Sequence, residues 1–187
     1  MTANGWRRAA LAVCVGLLAA CSARFEWREL RTDEFVASLP GRPQTVARDI
    51  DLAGEKVPMT MWSTGVGPTM FAIGAARLPA AAVADQSSRD RTLAYFRDGL
   101  VRNIGGTVTS QRPVPLALSP GSARRLLAGE AVEAAGNAGA DGRKSRLAAR
   151  FFIVDDRIFQ IVALGADGEI PPEVLDTFFT SFRLTPS

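Results

Sequence analysis

Histidine is absent from all 187 residues of this chain, which also contains only one tyrosine. Without histidine there is no Ser-His-Asp triad, no Cys-His pair, no imidazole zinc ligand and no imidazole proton shuttle. The lysines, Lys56 and Lys144, do not stand in a Ser-x-x-Lys arrangement, and Gly-x-Ser-x-Gly, Walker-type and Gly-x-Gly-x-x-Gly motifs are missing. We therefore expect no enzyme, no catalytic residue, no cofactor and no metal.

Cysteine is scarce too, and the position of Cys21 bears on how the N-terminus is processed. It ends the tetrapeptide Leu18-Ala19-Ala20-Cys21, which closes an apolar run that follows Arg7-Arg8. A cationic start, an apolar stretch and a small-residue cleavage site predict a secretory signal peptide. The run over residues 9–20 has twelve residues, whereas a membrane-spanning helix needs about twenty.

The same tetrapeptide resembles the bacterial lipobox. In that family the cysteine thiol receives a diacylglycerol, the preceding peptide is removed and the new amine is acylated. The resemblance implies cleavage between Ala20 and Cys21, a lipid on Cys21 and a short tether over residues 21–24. Ser22, in a position where aspartate favours inner-membrane retention, implies the periplasmic face of the outer membrane. The alternative is an ordinary signal peptide that happens to contain a cysteine.

Removing residues 1–20 would change the charge balance. It would leave 20 basic and 19 acidic residues, a net side-chain charge of +1. Nucleic-acid binding needs a concentrated basic surface, so we expect no nucleic-acid partner. Cys14 would be discarded and Cys21 would carry the lipid, so the mature chain would have no disulfide and no thiolate metal site. That arrangement suits an oxidising compartment.

Hydrophobic periodicity predicts strands and then a helix in the first half of the domain. Alternation predicts an antiparallel meander with strands over 45–52, from 57 onward and over 69–78. The spacing then changes to three and four, which predicts a helix over Ser87–Ile104. Its apolar stripe is Leu93, Phe96, Leu100 and Ile104, and Gly105-Gly106 supplies the C-terminal stop.

Four more strands and a closing helix are predicted in the second half. The strands are expected over 107–116, 123–133, 145–154 and 157–164. Prolines make the first of them an edge strand, and apolar residues on both faces place the last at the centre of the sheet. Pro171-Pro172 opens the closing helix, whose apolar face is Val174, Leu175, Phe178, Phe179 and Phe182. The expected fold is α+β, with an antiparallel sheet of about seven to eight strands covered by two main helices.

The order of these elements resembles a known group. The pieces are a Phe35–Pro40 strand entering a meander, a middle helix, a second meander and a closing helix with Phe178-Phe179-Thr180-Ser181-Phe182. Together they resemble the photosystem II extrinsic-subunit (PsbP-like) fold, which also occurs in small bacterial lipoproteins. The resemblance implies a single α/β/α sandwich domain over residues 25–184. It also implies an accessory or assembly role without known catalysis.

The middle helix carries the candidate partner-binding residues Arg91, Tyr95 and Arg102. With Asp98 they fall at i, i+4, i+7 and i+11, opposite the apolar stripe. Arginine and tyrosine are favoured at protein interfaces, so this face is a plausible docking surface. The simpler interpretation is an ordinary exposed face on which Asp98 and Arg102 form a weak ion pair.

Two pairs of aspartates invite a metal-site interpretation and are better explained otherwise. Asp49 and Asp51 lie about 7 Å apart on one strand, on the face opposite its apolar residues, which predicts a solvated surface. Asp155-Asp156 is ordinary hairpin-turn chemistry. Near the anchor, Phe25 and Trp27 are expected in the core of the first strand rather than among lipid headgroups.

Three functions remain open at this point. The leading hypothesis is a lipid-anchored periplasmic protein that binds or helps to assemble an envelope partner. The second is a lipid or small-molecule carrier with an apolar cavity between sheet and helix, which Met59, Met61 and Met70 would line. A carboxylate-based hydrolase is the third and least favoured.

Overall fold

The computed structural model describes residues 25–119, 122–138 and 142–185. The expected signal peptide (residues 1–20) and the expected lipidation site, Cys21, lie outside these residues. The elements are β1 (Arg28–Arg31), β2 (Phe35–Leu39), β3 (Gln44–Leu52), β4 (Glu55–Val66), β5 (Thr69–Arg77), α1 (Ala80–Val83), α2 (Gln86–Asn103), β6 (Thr107–Pro113), β7 (Leu126–Ala138), β8 (Arg143–Val154), β9 (Arg157–Ala166), α3 (Pro172–Ser181) and β10 (Arg183–Leu184).

Seven strands form one antiparallel sheet in the order β3-β4-β5-β9-β8-β7-β6. The α+β class and the antiparallel sheet are therefore confirmed. β9 is the central strand, as its apolar residues on both faces predict. β6 lies at the edge and is exposed throughout, as its proline predicts.

The other three strands form a separate sheet, in the order β1-β2-β10. The prediction that the Phe35–Pro40 strand enters the meander is wrong, and the predicted seven to eight strands match the large sheet without these three. β2 pairs with β1 and with the two-residue β10, which is far away in the chain and too short to show a period. Ser181 Oγ accepts a hydrogen bond of 2.9 Å from the Ser38 amide, and Glu34 pairs with Arg157 of β9. These contacts fasten the small sheet to α3 and to the large sheet.

α2 covers one face of the seven-stranded sheet. It spans Gln86–Asn103, one residue from each predicted boundary, and Leu93, Phe96 and Ile104 of the predicted stripe are buried. Within the described residues, no helix has the length and apolar character needed to cross a membrane. The short helix α1, absent from the prediction, is tied to α2 because the Thr92 hydroxyl lies 3.0 Å from the Ala82 carbonyl.

α3 and the small sheet cover the opposite face with a cluster of aromatic rings. Phe178 is completely buried and Phe182 is 4% exposed, which confirms the core role expected of the closing helix. The Phe178 ring meets Phe71 edge to face at 5.2 Å, and the Phe182 ring lies 5.3 Å from that of Phe35. Edge-to-face and offset pairs of this kind favour a single arrangement of the helix over the sheet.

Candidate functional site

A groove of about 440 Å³ opens between the β3–β4 turn, α1 and the first half of α2. We name it the α2 groove. Six of its lining residues are Leu52, Ala82, Ser88, Arg91, Thr92 and Tyr95. The lining is mainly apolar, and Arg91 and Glu55 bring opposite charges to it.

Local hydrogen bonds fix both walls of this groove. In the β3–β4 turn, Ala53 and Gly54 have φ angles of +57° and +87°, and Asp51 Oδ1 accepts a 2.8 Å hydrogen bond from the Gly54 amide. At the start of α2, Asp85 Oδ1 accepts a 2.7 Å hydrogen bond from the Ser88 amide. That N-cap bond is the main reason why the pKa of Asp85 is lowered. The groove therefore has a defined shape.

The groove brings together two of the three candidate residues on the middle helix. Arg91 Nη1 and Nη2 donate hydrogen bonds of 2.6 Å to Ser87 Oγ and 3.0 Å to Ser88 Oγ. Tyr95 is 37% exposed, and its ring meets Phe96 edge to face at 5.4 Å. The hydrogen bonds to the two serines restrict the Arg91 side chain, and the contact with Phe96 restricts the Tyr95 ring. Both side chains therefore lose little conformational entropy when a partner binds.

Arg102, the third candidate, lies elsewhere. It is eleven residues after Arg91 on α2, which corresponds to about 16 Å along the helix axis. The expected ion pair between Asp98 and Arg102 is not the one that forms, because Asp98 Oδ1 lies 2.9 Å from Nε of the adjacent Arg97. Arg97 also contacts Glu130, whose Oε1 lies 3.4 Å from its Nη1. The candidate face is thus divided, and only its N-terminal half lines the groove.

The remaining residues singled out in the sequence occupy ordinary positions. Asp49 and Asp51 are exposed on β3, and Asp155 is in the β8–β9 turn with a φ of +52°. Phe25 and Trp27 precede β1 instead of lying in it, and both pack half-buried against the α3-side core.

The three methionines do not line a common cavity between sheet and helix. Met59 is 2% exposed and fills the core beneath α2, Met61 is half-buried, and Met70 is 41% exposed. None of them lines the α2 groove or the α3 trough described below.

The sequence patterns did not predict a polar cluster on the α2 face. Arg97 Nη1 lies 3.4 Å from Glu130 Oε1, and Gln111 Nε2 donates a 3.0 Å hydrogen bond to Glu130 Oε2. The side chains of Arg97 and Glu130 are only 18% and 12% exposed. The alternation along β7 could have revealed that Glu130 is buried, because Glu130 lies on the same strand face as the buried Val132 and Ala134.

A second concave surface, also missed, lies between α3 and the outer strands. Arg112 of β6, Ala131 of β7 and Arg150 of β8 are paired across the sheet as one row. They line a pocket of about 200 Å³, which α3 borders with Asp176 and Phe179. The guanidinium carbon of Arg150 lies 4.6 Å from the centre of the Phe179 ring.

This pocket continues into a larger one of about 400 Å³. The two are adjacent and share the lining residues Glu133, Ala148, Pro172 and Leu175, and we name them together the α3 trough. Alternation along β8 puts Arg146, Ala148 and Arg150 on one face of the strand. No local pattern shows that α3 leaves this face partly open, because the position of a helix on a sheet is a tertiary property.

The chain enters the domain at the end of the sheet remote from the α2 groove. The ring of Phe25, the first described residue, lies 6.1 Å from that of Phe71, near the start of β5. The groove lies beyond the other end of β5, where the chain passes through Pro79 into α1. Phe71 and Arg77 are six positions apart in this strand, which separates the two ends by about 20 Å.

Comparison with known proteins adds little. No family model matches the chain, and no curated protein matches it. Among solved structures, the protein of unknown function PA94 from Pseudomonas aeruginosa matches over 70% of this chain and 88% of its own. The two are 11% identical, with a TM-score of 0.39. A similarity this distant supports no conclusion about fold or function.

No group of three or more acidic or cysteine side chains suited to a metal ion occurs among the described residues.

Proposed function

We propose that this chain is a lipid-anchored, non-enzymatic accessory protein that captures an envelope protein in its α2 groove. Cys21 carries the lipid, and the domain sits on the periplasmic face of the outer membrane. The domain belongs to the PsbP-like sandwiches, a proposal supported by the order of its elements. The absence of histidine from the whole sequence supports a binding role over a catalytic one.

The observation that carries this proposal is the position of a preorganised groove at the end of the sheet remote from Phe25, the first described residue. Three residues separate Cys21 from Phe25, so the lipid attachment point lies within about 14 Å of the Phe25 end of the sheet. The α2 groove lies at the other end of the strands, so the proposed anchor would leave it on the side of the domain remote from the bilayer. An anchored docking domain needs this arrangement, because its binding surface must reach partners in the periplasm.

The lining of the groove indicates the chemistry of the partner. Leu52, Ala82 and the Tyr95 ring provide an apolar surface, and Arg91 provides a fixed cationic donor beside it. The best complement is a protein segment with an apolar side chain for the floor and a carboxylate for Arg91.

Anchoring is tested by labelling the protein in cells with palmitate and measuring the mass of its N-terminus. We expect label on the wild-type chain, an N-terminus at Cys21, and no label on a Cys21→Ser variant. An intact Met1 terminus or an unmodified Cys21 in the wild type would contradict the anchor.

Docking is tested by photo-crosslinking in the envelope, with the crosslinker placed at Ala81 on the groove wall. The wild type should capture a defined protein, and Arg91→Ala/Tyr95→Ala should lose it. Arg102→Ala is the matched control, since it removes an arginine from the same helix outside the groove, and it should keep the crosslink. Equal capture by the double variant, or loss of capture in Arg102→Ala alone, would show that the groove is not the docking site.

A further inference from the structure

Two arginines face each other across a small residue in the α3 trough. Arg112 and Arg150 are both paired with Ala131, on either side of β7. Their strands are two inter-strand spacings apart, about 9.6 Å, and the alanine between them leaves the intervening space open. The two side chains share one face of the sheet, so their guanidinium groups border the same pocket.

Arg112 is exposed and Arg150 is half-buried, and neither has the ion-pair partner that a partly buried charge normally has. Neither guanidinium forms an ion pair or hydrogen bond with any residue in the described part of the chain. Burial lowers the pKa of Arg150, Arg112 lowers it further, and Asp176 opposes both effects. The other carboxylate lining the pocket, Glu133, lies 3.5 Å from Arg146. Asp176 therefore offsets the two arginines in part, but within the described residues it forms no ion pair with either of them.

The opposite end of the trough is mainly apolar, and the charged residues that line it, Arg146 and Glu133, form an ion pair of 3.5 Å with each other. Ala148 and Ala163 lie along its floor, and Ile170, Pro172 and Leu175 form the wall from the α3 side. An elongated ligand would therefore meet two arginines at one end and aliphatic side chains at the other. Such polarity matches a molecule with a charged head and a hydrocarbon chain.

We propose that the α3 trough binds an anionic amphiphile, with a phosphate group between Arg112 and Arg150 and an acyl or alkyl chain along Ala148 and Leu175. A phosphate suits this position because its oxygens accept hydrogen bonds from arginine forks on two sides at once. This site would give the domain a ligand in addition to its protein partner, and it does not depend on the α2 groove or on the anchor.

The test is native mass spectrometry on the full-length protein in a neutral maltoside detergent, with three probes. Octyl phosphate has both head and chain, inorganic phosphate has only the head group, and octyl glucoside has only the chain with a neutral head. We expect one copy of octyl phosphate per protein, bound at least about tenfold more tightly than either other probe, because both ends of the trough contribute.

Variants distinguish the contributions of the arginine end and the apolar end of the α3 trough to binding. Arg112→Gln/Arg150→Gln should weaken octyl phosphate at least about tenfold, whereas Arg48→Gln, which removes an exposed arginine from β3, should leave it unchanged. Ile170→Ser should remove part of the apolar wall and weaken octyl phosphate while leaving inorganic phosphate unaffected, because Ile170 lines the apolar end and not the arginine pocket. The single variant Arg112→Gln, at an exposed position, tests the site even if the double variant does not fold.

Three results would overturn this inference. Unchanged octyl phosphate binding in a folded Arg112→Gln/Arg150→Gln variant would exclude the arginines as the head-group site. Equal binding of octyl glucoside would exclude recognition of the anion. Inorganic phosphate bound as tightly as octyl phosphate would show a site for free phosphate instead of an amphiphile.

Discussion

On the α2 face of the seven-stranded sheet the half-buried Arg97 forms ion pairs, whereas on the α3 face Arg112 and Arg150 form none within the described residues. Arg97 lies between Glu130 and Asp98, whereas Arg150 lies over the ring of Phe179 and is offset by Asp176 without an ion pair. Pairing lets a partly buried charge contribute to the folded state. An unpaired arginine that borders open space contributes little to folding and is available for a ligand. The comparison indicates that Arg97 stabilises the fold, whereas Arg150 is available to bind a ligand.

Removing aromatic rings from the α3 core should produce the largest loss of stability. Phe178→Ala and Phe182→Ala should each lower the free energy of unfolding by about 3–5 kcal/mol, since each deletes a buried ring and leaves a cavity. Urea unfolding of the full-length protein measures this. Phe179→Ala, at a half-buried position on the same helix, should cost clearly less. Losses below about 1 kcal/mol at Phe178 and Phe182 would mean that α3 does not pack as described.

Breaking the polar cluster on the α2 face should have a smaller effect. Glu130→Ala should cost about 2 kcal/mol, because it leaves Arg97 and the Gln111 amide without their shared acceptor. Glu133→Ala on the same strand is the control, since its carboxylate is exposed and its loss should change stability by about 0.5 kcal/mol or less. Equal effects of the two substitutions on urea unfolding would mean that burial of the cluster is unimportant.

Substitutions in the α2 groove should have the smallest effect on folding. Arg91→Ala/Tyr95→Ala should lower the free energy of unfolding by less than about 1 kcal/mol, since both side chains are exposed and no core ring is removed. A loss comparable to that of Glu130→Ala would make these residues structural, and failure to crosslink would then say nothing about docking.

Much of the fold follows from local patterns, and the remainder depends on pairing between distant parts of the chain. The Leu93–Ile104 stripe and the apolar faces of β9 are local signals, and both predictions are confirmed. The small sheet joins Val36 to Arg183 near the other end of the chain, a pairing without local periodicity. The same limit applies to the sites. The helix spacing brought Arg91 and Tyr95 to attention, but only the folded chain shows that β3–β4 completes their groove.

The most direct test of the contrast between the two faces is thermal unfolding of Arg97→Gln and Arg150→Gln, each with and without octyl phosphate. A ligand that binds the folded state alone raises the unfolding midpoint. We predict that Arg97→Gln lowers the midpoint but keeps the rise on adding octyl phosphate, while Arg150→Gln stays near the wild-type midpoint and loses that rise. An Arg150→Gln variant that is destabilised like Arg97→Gln, yet still responds to the ligand, would contradict this account.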